Sequence, residues 1–319
     1  MACQPLISIC IPSYNSERFI ACALQSIVNQ SFTDFEIVIV DDRSTDRTAS
    51  IIKTFSDPRI RFTQNDVNLG IGGNWNKVLS RAQGKYVKLL CGDDMLYPEC
   101  LARQVAVLEQ PSNSDVVLAI CNRDVIDDQN RIILRKRFIG GAGRINGGRL
   151  IRRSIRWGSN LIGEPMVGLF RREAFDQNGI SQAANPYCID LSLWADLLRR
   201  GTAFMDATCL AAFRISRAAA TSKIGFRQAA YFRSFARALH RSSTHSLSFP
   251  DLMLGCCLSL PWCVLRNSFI ASHAKRHSQD EIQSQATGAH WPEPRLESCD
   301  RARIASQAPV PDTRCKIAA

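Results

Sequence analysis

The stretch "KLLCGDDMLYPEC", Lys88–Cys100, ends an apolar run in two adjacent carboxylates, Asp93 and Asp94. Ionised carboxylates at the end of a buried strand are costly unless something compensates them. Hard divalent cations such as Mg2+ and Mn2+ select carboxylate oxygens and keep several water and phosphate oxygens. One or both aspartates can therefore hold a metal bound to a nucleotide diphosphate. An acidic turn capping the next helix is the plainer alternative. Cys91 lies two positions before Asp93, but a soft thiolate is a poor ligand for either metal.

Three other clusters have the same character. "IVDDRSTD" places Asp41 and Asp42 at the end of a second apolar run, where a carboxylate can accept hydrogen bonds from a base or ribose. Helix capping explains Ser44, Thr45 or Asp46 well and Asp41 poorly. In "PSYNSE", Pro12 fixes the exit of a strand, Tyr14 can stack on a base, and Asn15 and Glu17 offer polar contacts at a helix start; an ordinary turn and cap is the alternative. "NLGIGGNWN" holds Asn68 and Gly70 in a GxGG pattern, which is not the GxGxxG of a dinucleotide fold. Its glycines let the backbone pass close to a ligand or to the sheet, and Trp75 reads as core. Asp190 opens the helix "DLSLWADLLRRG", and N-capping alone accounts for it.

These clusters need a scaffold, and the first third supplies one. Apolar strands are expected at 6–12, 35–42, 60–65, 86–92 and 115–122. Amphipathic helices are expected between them at 16–30 (Ser16 as cap), 44–55, 72–84 (closed by Gly84) and 98–110 (Pro98 in its first turn). Strands that are apolar on both faces and separated by helices indicate an α/β fold with a mostly parallel central sheet and helices on both faces. Ligands of such sheets bind at the carboxyl ends of the strands, where all the polar clusters fall. Further on, 131–150 reads as a strand and a glycine-rich loop, 166–175 as strand then helix, and 188–201 and 228–241 as helices. From about residue 272 the chain is polar without periodicity and reads as disordered. The expected organisation is an α/β half (1–122), a second half of the same domain (123–222), C-terminal helices (223–271) and a tail (272–319).

Composition narrows the setting. The net charge of +11 is uneven: residues 1–130 hold 12 basic and 16 acidic side chains, residues 131–240 hold 19 and 6, and residues 241–319 hold 9 and 7. A basic middle suits anionic headgroups or phosphorylated ligands. Without basic and aromatic residues interleaved, nucleic acid is not an expected partner. The thirteen cysteines have no regular spacing and read as reduced, buried side chains of a cytoplasmic protein. The N-terminus lacks the pattern of a secretory signal. The apolar run Leu252–Leu265, interrupted by Pro261, reads as too short to span a bilayer and suited to lie against a membrane surface or the domain.

Together, "ISICIPSYN", "IVIVDDRSTDRT", "NLGIGGNWNKVLSRAQGKYVKLLCGDDMLYPECL" and "YCIDLSLWADLLRRG" resemble, in that order, the family 2 glycosyltransferases of GT-A (nucleotide-diphospho-sugar transferase) fold over about residues 5–215. The bacterial enzymes that build lipopolysaccharide, exopolysaccharide or capsule are the nearest look-alikes. The resemblance implies an inverting transfer of a sugar from a nucleotide-diphospho-sugar donor to a saccharide or lipid-linked acceptor, with Mg2+ or Mn2+ as cofactor. It implies that the region of Pro12, Tyr14, Asn15 and Glu17 holds base and ribose. Asp41 contacts the base, with Asp42 beside it, and Asn68 and Gly70 line the pocket. Asp93 matches the last aspartate of the DxD motif and ligates the metal, while Asp94 supports it or touches the sugar. Asp190 matches the aspartate of the ED motif, the general base. It also implies work at the cytoplasmic face of a membrane, where Arg135, Lys136, Arg137, Arg152, Arg153 and Arg156 would meet lipid headgroups or an acceptor pyrophosphate. Three residues depart from the pattern: Cys91 replaces the first aspartate of DxD, Ile189 the acidic residue before Asp190, and Ser216 a frequent histidine. They motivate an alternative, a catalytically degenerate nucleotide-sugar binder. A doubly wound oxidoreductase is disfavoured by the missing glycine fingerprint.

Overall fold

In the computed structural model, residues 4–138, 141–175, 179–180, 187–216, 224–242, 245 and 247–287 are described, with side chains up to residue 272. Four strands build the first half of one sheet: β1 (Ile7–Ser13), β2 (Phe35–Asp41), β3 (Ile60–Gln64) and β4 (Tyr86–Leu89), in the order β3-β2-β1-β4 and all parallel. Every residue of β1 and β2 is buried, as expected of parallel strands covered on both faces. The crossovers are α1 (Ile20–Val28), α2 (Thr48–Lys53) and α3 (Gly70–Leu79), and α3 packs on β1 and β2. Trp75 is buried, as expected.

The second half is mixed. After β5 (Met95–Leu96) and α4 (Cys100–Leu108) come the long β6 (Val116–Ile126), β7 (Ile132–Lys136), β8 (Gly143–Asn146), α5 (Gly147–Arg156) and β9 (Gly168–Arg171). Then follow α6 (Ile189–Leu198), β10 (Thr202–Arg214), α7 (Arg227–Arg241) and α8 (Phe249–Thr287). The sheet continues from β4 through β9, β6 and β10 to β5, with β7 on β6 and β8 on β10. Antiparallel β9 joins the two halves, while the long β6–β10 ladder is parallel.

Several local expectations are corrected. Ser16 does not cap α1 with its side chain: its carbonyl accepts from the N–H groups of Phe19 and Ile20, and α1 starts at Ile20. Gly84 does not close α3, which ends at Leu79. It lies so close to β1 that a Cβ would stand 2.6 Å from the Ser8 nitrogen, so only glycine fits. The glycine-rich stretch holds β8 and α5 rather than a loop; Asn146 caps α5 by accepting from Arg149 N–H at 3.0 Å. Residues 172–174 form a 3-10 turn after β9, not a longer helix. β10 was not anticipated at all.

The C-terminal apolar run is also longer than expected. α8 continues through Pro261, and Phe249–Ser272 is long and apolar enough to cross a membrane by length and composition (mean hydropathy 1.3). One face is docked: Arg233 donates to the Cys256 carbonyl at 3.0 Å and to Ser259 Oγ at 3.1 Å, Arg152 pairs with Asp251 at 2.6 Å, and Gly158 meets the backbone at Gly255 and Ser259. Phe249, Met253, Leu254, Trp262 and Leu265 are exposed. Residues 278–319 cluster as a separate unit. In it helical backbone reaches residue 287, inside the stretch expected to be disordered, and 288–319 lie outside the described residues.

Candidate active site

The loops leaving β1 and β2 are sewn together by side chains. Asn15, at a positive φ of 47°, donates its N–H to Ser44 Oγ at 2.9 Å and accepts the Thr45 N–H on Oδ1 at 2.9 Å. Such short amide side chains tolerate left-handed backbone. Ser16 N–H donates to Thr48 Oγ1 at 2.7 Å and Glu17 N–H to Asp46 Oδ2 at 3.1 Å, while Glu17 accepts from Arg47 N–H at 3.0 Å. Asp46, whose other oxygen accepts from Thr48 N–H at 2.9 Å, holds the turn just before α2. Tyr14 stands half-exposed on this seam, and Pro12 is buried in β1 opposite Val40.

Asp41 and Asp42 are both buried. Asp41 accepts from Ser13 Oγ (3.1 Å), Ser44 N–H (2.9 Å), Ser44 Oγ (2.5 Å) and Gln64 Nε2 (2.9 Å). Gln64 is the exposed one of these partners. Asp42 accepts from Asn65 Nδ2 and Leu69 N–H, each at 2.8 Å, and its carbonyl from Asn68 Nδ2 at 3.0 Å. Asn68 in turn accepts from Gly70 N–H at 3.0 Å. Gly70, at φ 71°, turns this loop into α3, a conformation that favours glycine. Asp42 thus fixes the loop that Asn68 and Gly70 belong to.

After β4, the ligand atoms of Cys91, Asp93 and Asp94 lie within 4.8 Å of one another. Burial raises Asp93, and burial together with the charge of Asp93 raises Asp94 well above the usual carboxylate range. Burial and both aspartates likewise raise the Cys91 thiol, so it stays neutral. Sequence reasoning missed the clamp on this turn. Arg214, at the end of β10, donates its N–H to Asp94 Oδ1 at 3.0 Å and its Nε to the Asp93 carbonyl at 2.8 Å. Its remaining nitrogens reach the Asp127 carbonyl (2.5 Å) and Asn130 Oδ1 (2.6 Å), and it stacks 4.5 Å from the Phe19 ring centre. The guanidinium therefore binds the backbone of Asp93 rather than its carboxylate. Two adjacent carboxylates that burial forces toward the neutral form suit a hard divalent cation, which would restore their ionised state. Asp93 and Asp94 fit that group.

Asp190 opens α6, half-buried. It accepts from Asn160 Nδ2 at 2.9 Å and from Leu191 N–H at 2.7 Å. Burial and the charge of Glu164 raise it to about 6. Its charge adds to the rise of the Cys91 thiol, so Asp190 lies within electrostatic reach of the β4 turn. Asn160 also donates to the Gly163 carbonyl (2.9 Å), as does Trp194 Nε1 (2.8 Å). Glu164 was not foreseen. Against the upward push of burial, Arg123, Lys136 and Arg266 hold it at about 2. Of the basic residues singled out from sequence, Arg137 is spoken for by Asp124 (3.4 Å) and Arg152 by Asp251, whereas Lys136 stands beside Glu164. Ser216 is buried. The stretch 181–186, just before α6, lies outside the described residues.

A sheet with polar loops at its carboxyl ends, an acidic turn after β4 and a carboxylate on a following helix defines the GT-A class of fold. The comparisons agree. The glycosyl transferase family 2 model matches residues 8–179, and the chain belongs to that family of transferase enzymes. A protein of Mycobacterium tuberculosis, MT1568, is 36% identical over 205 residues, covering 62% of this chain and 63% of its own. The putative glycosyltransferase EpsE of Bacillus subtilis is 37% identical over 116 residues, covering 35% and 42%. The chain thus spans less than two thirds of either relative. An Escherichia coli protein, WfgD, named UDP-Glc:alpha-D-GlcNAc-diphosphoundecaprenol beta-1,3-glucosyltransferase, is 33% identical over 103 residues, covering 32% and 41%. Among solved structures, Staphylococcus aureus TarS with UDP-GlcNAc superposes with a TM-score of 0.59 at 19% identity, covering 73% of this chain and 66% of its own. The mannosyltransferase PcManGT of Pyrobaculum calidifontis, with GDP-Man and Mn2+, gives 0.59 at 17%, covering 92% and 83%. At such identities these two speak for the fold.

Proposed function

We propose that this chain is an inverting, metal-dependent glycosyltransferase that moves a sugar from a nucleotide-diphospho-sugar to a saccharide or lipid-linked acceptor in cell-surface polysaccharide synthesis. The observation that carries it is the half-buried Asp190 in the first turn of α6, held by Asn160 at 2.9 Å, raised to about 6 and within electrostatic reach of the Cys91–Asp94 turn. An acceptor hydroxyl is a poor nucleophile until a positioned base takes its proton, and a base near neutrality does this best. Asp190 accepts that proton from the hydroxyl as its oxygen attacks the anomeric carbon, and Asn160 fixes the carboxylate's orientation. A single in-line displacement with one base inverts the anomeric centre. Asp93 is the metal ligand and Asp94 supports it; a bound Mg2+ or Mn2+ supplies charge stabilisation for the leaving diphosphate. The seam of Pro12, Tyr14, Asn15 and Glu17 faces the base and ribose. Asp41 takes a base donor in place of Gln64, and Asp42 holds Asn68 and Gly70 as the pocket wall.

The exposed apolar face of α8 suits a protein that lies on the cytoplasmic face of a membrane, where lipid-linked acceptors are found. The activity for which WfgD is named, on a diphosphoundecaprenol acceptor, supports that acceptor class. The test is nucleotide release from UDP-glucose and GDP-mannose with membrane extract as acceptor source, beside calorimetry with UDP and Mn2+. Release that is lost in Asp190→Asn supports the proposal. Equal release by both proteins removes Asp190 as the base. Tight nucleotide binding without release from any donor favours the degenerate binder, which Cys91 and Ile189 motivate.

A further inference from the structure

Glu164 faces more positive charge than it can cancel. Arg123 on β6 and Lys136 on β7 are direct cross-strand partners, and like charges in that register repel. Glu164 forms an ion pair with Arg123 and stands 3.9 Å from Lys136. A third cation, Arg266 of α8, lies 5.8 Å from the ring centre of Tyr187, and its charge reaches Glu164, Lys136 and Asp190. The Arg123 side chain keeps only 9% of its exposure. Its guanidinium lies against Gly163, where φ is +122° and a Cβ would stand 2.6 Å from Nη1. Gathering desolvated like charges is unfavourable without a counter-charge, and one carboxylate supplies part of it. Lys136 and Arg266 remain partly exposed and open to a ligand.

The place of the cluster indicates what completes it. The loop that ends in Glu164 begins with Asn160, the partner of Asp190, whereas the Asp93–Asp94 turn is clamped separately by Arg214. We propose that Arg123, Lys136 and Arg266 form an anion subsite that holds a phosphate or pyrophosphate group of the acceptor beside its attacking hydroxyl. Guanidinium groups meet phosphate oxygens in paired hydrogen bonds, and lysine adds a point charge. This deepens the glycosyltransferase reading and rests on it for the word acceptor.

The test is calorimetry of the full chain with inorganic pyrophosphate and with farnesyl diphosphate, both in chelator so that metal-dependent binding at Asp93 is silent. Flotation with phosphatidylcholine vesicles containing phosphatidylglycerol runs alongside. Both diphosphates bind the wild type, and Lys136→Gln and Arg266→Gln each weaken them about tenfold, while Asp93→Asn does not. Absence of pyrophosphate binding overturns the proposal, as does binding that Asp93→Asn abolishes and the other two spare. Loss of vesicle flotation in Lys136→Gln and Arg266→Gln with diphosphate binding intact assigns the cluster to lipid headgroups and also overturns it. UDP binding with Mn2+ in the same preparations reports folding and tests the donor site independently.

Discussion

The carboxylates at the end of β2 are held by different means from those around β6 to β10, although Glu36 within β2 also pairs with Arg61 at 2.5 Å. Around β1 to β3, Asp41 and Asp42 are satisfied by neutral donors: hydroxyls of Ser13 and Ser44, amides of Gln64 and Asn65, and backbone N–H groups. Around β6 to β10, the carboxylates meet cations: Glu164 with Arg123 and Lys136, Asp124 with Arg137, Asp127 with Arg131. Neutral hydrogen bonds fix a shape that salt hardly alters, whereas ion pairs set a local potential that salt and pH both change. The strand-end carboxylates proposed for the donor are held for shape, and those of the half proposed for the acceptor for charge.

Asp190→Asn strikes the charged half hardest: kcat in the nucleotide-release assay falls about 100- to 10,000-fold, with little change in the melting temperature. The pH profile comes next. Asp190, raised to about 6, must be ionised to act as base. The rate therefore falls as pH drops through about 6, to about a tenth of its plateau one pH unit below. The same residues give opposite stability slopes. Asp190, raised above its unfolded value, destabilises the fold as pH climbs from the ordinary carboxylate range through 6. Glu164, depressed to about 2, contributes stability that is present above its ordinary value and lost as pH falls through 2. Asp42→Ala strikes the strand-end loops, leaving the Leu69 N–H without its acceptor and Asn65 Nδ2 with only Asn74 Oδ1 at 3.2 Å, and costs about 3 kcal/mol in denaturant unfolding. Gly168→Ala tests the frame behind Asp190: its Cβ would stand 2.5 Å from Trp194, which donates to Gly163. About 2 kcal/mol of stability is lost, with a lower kcat. The smallest effect is expected of Arg137→Gln, whose partly exposed pair with Asp124 is worth about 0.5 kcal/mol; an equal loss at high and low salt would contradict its electrostatic origin.

The first half was legible from sequence because each part is local. Its strands are apolar on both faces, its helices alternate with them, and each polar cluster directly follows a strand. The charged half was not, because its partners come from distant positions. Glu164 has significance only once residues 123, 136 and 266 converge on it, and the clamp on Asp94 shows only once Arg214 arrives from β10. Glycines misled for a related reason. Gly84 resembles a helix stop, and Gly147 belongs in the first turn of α5 because the carbonyls of Leu198 and Gly201 press against it, a contact that no local pattern reveals. Asp190 itself was visible as a cap. Its shift toward neutrality depends on Glu164 and on burial, neither of which spacing encodes.

The stitching of the β1 and β2 loops has a consequence for how the surface breathes. The amides of Asn15, Ser16, Glu17, Thr45 and Arg47 all donate to side chains on the opposite loop. Loop amides normally trade their protons with solvent quickly, because local opening is cheap. Here one amide cannot be released without parting the two loops. These five positions should therefore retain deuterium-exchange protection close to that of the strands they follow, and should lose it together.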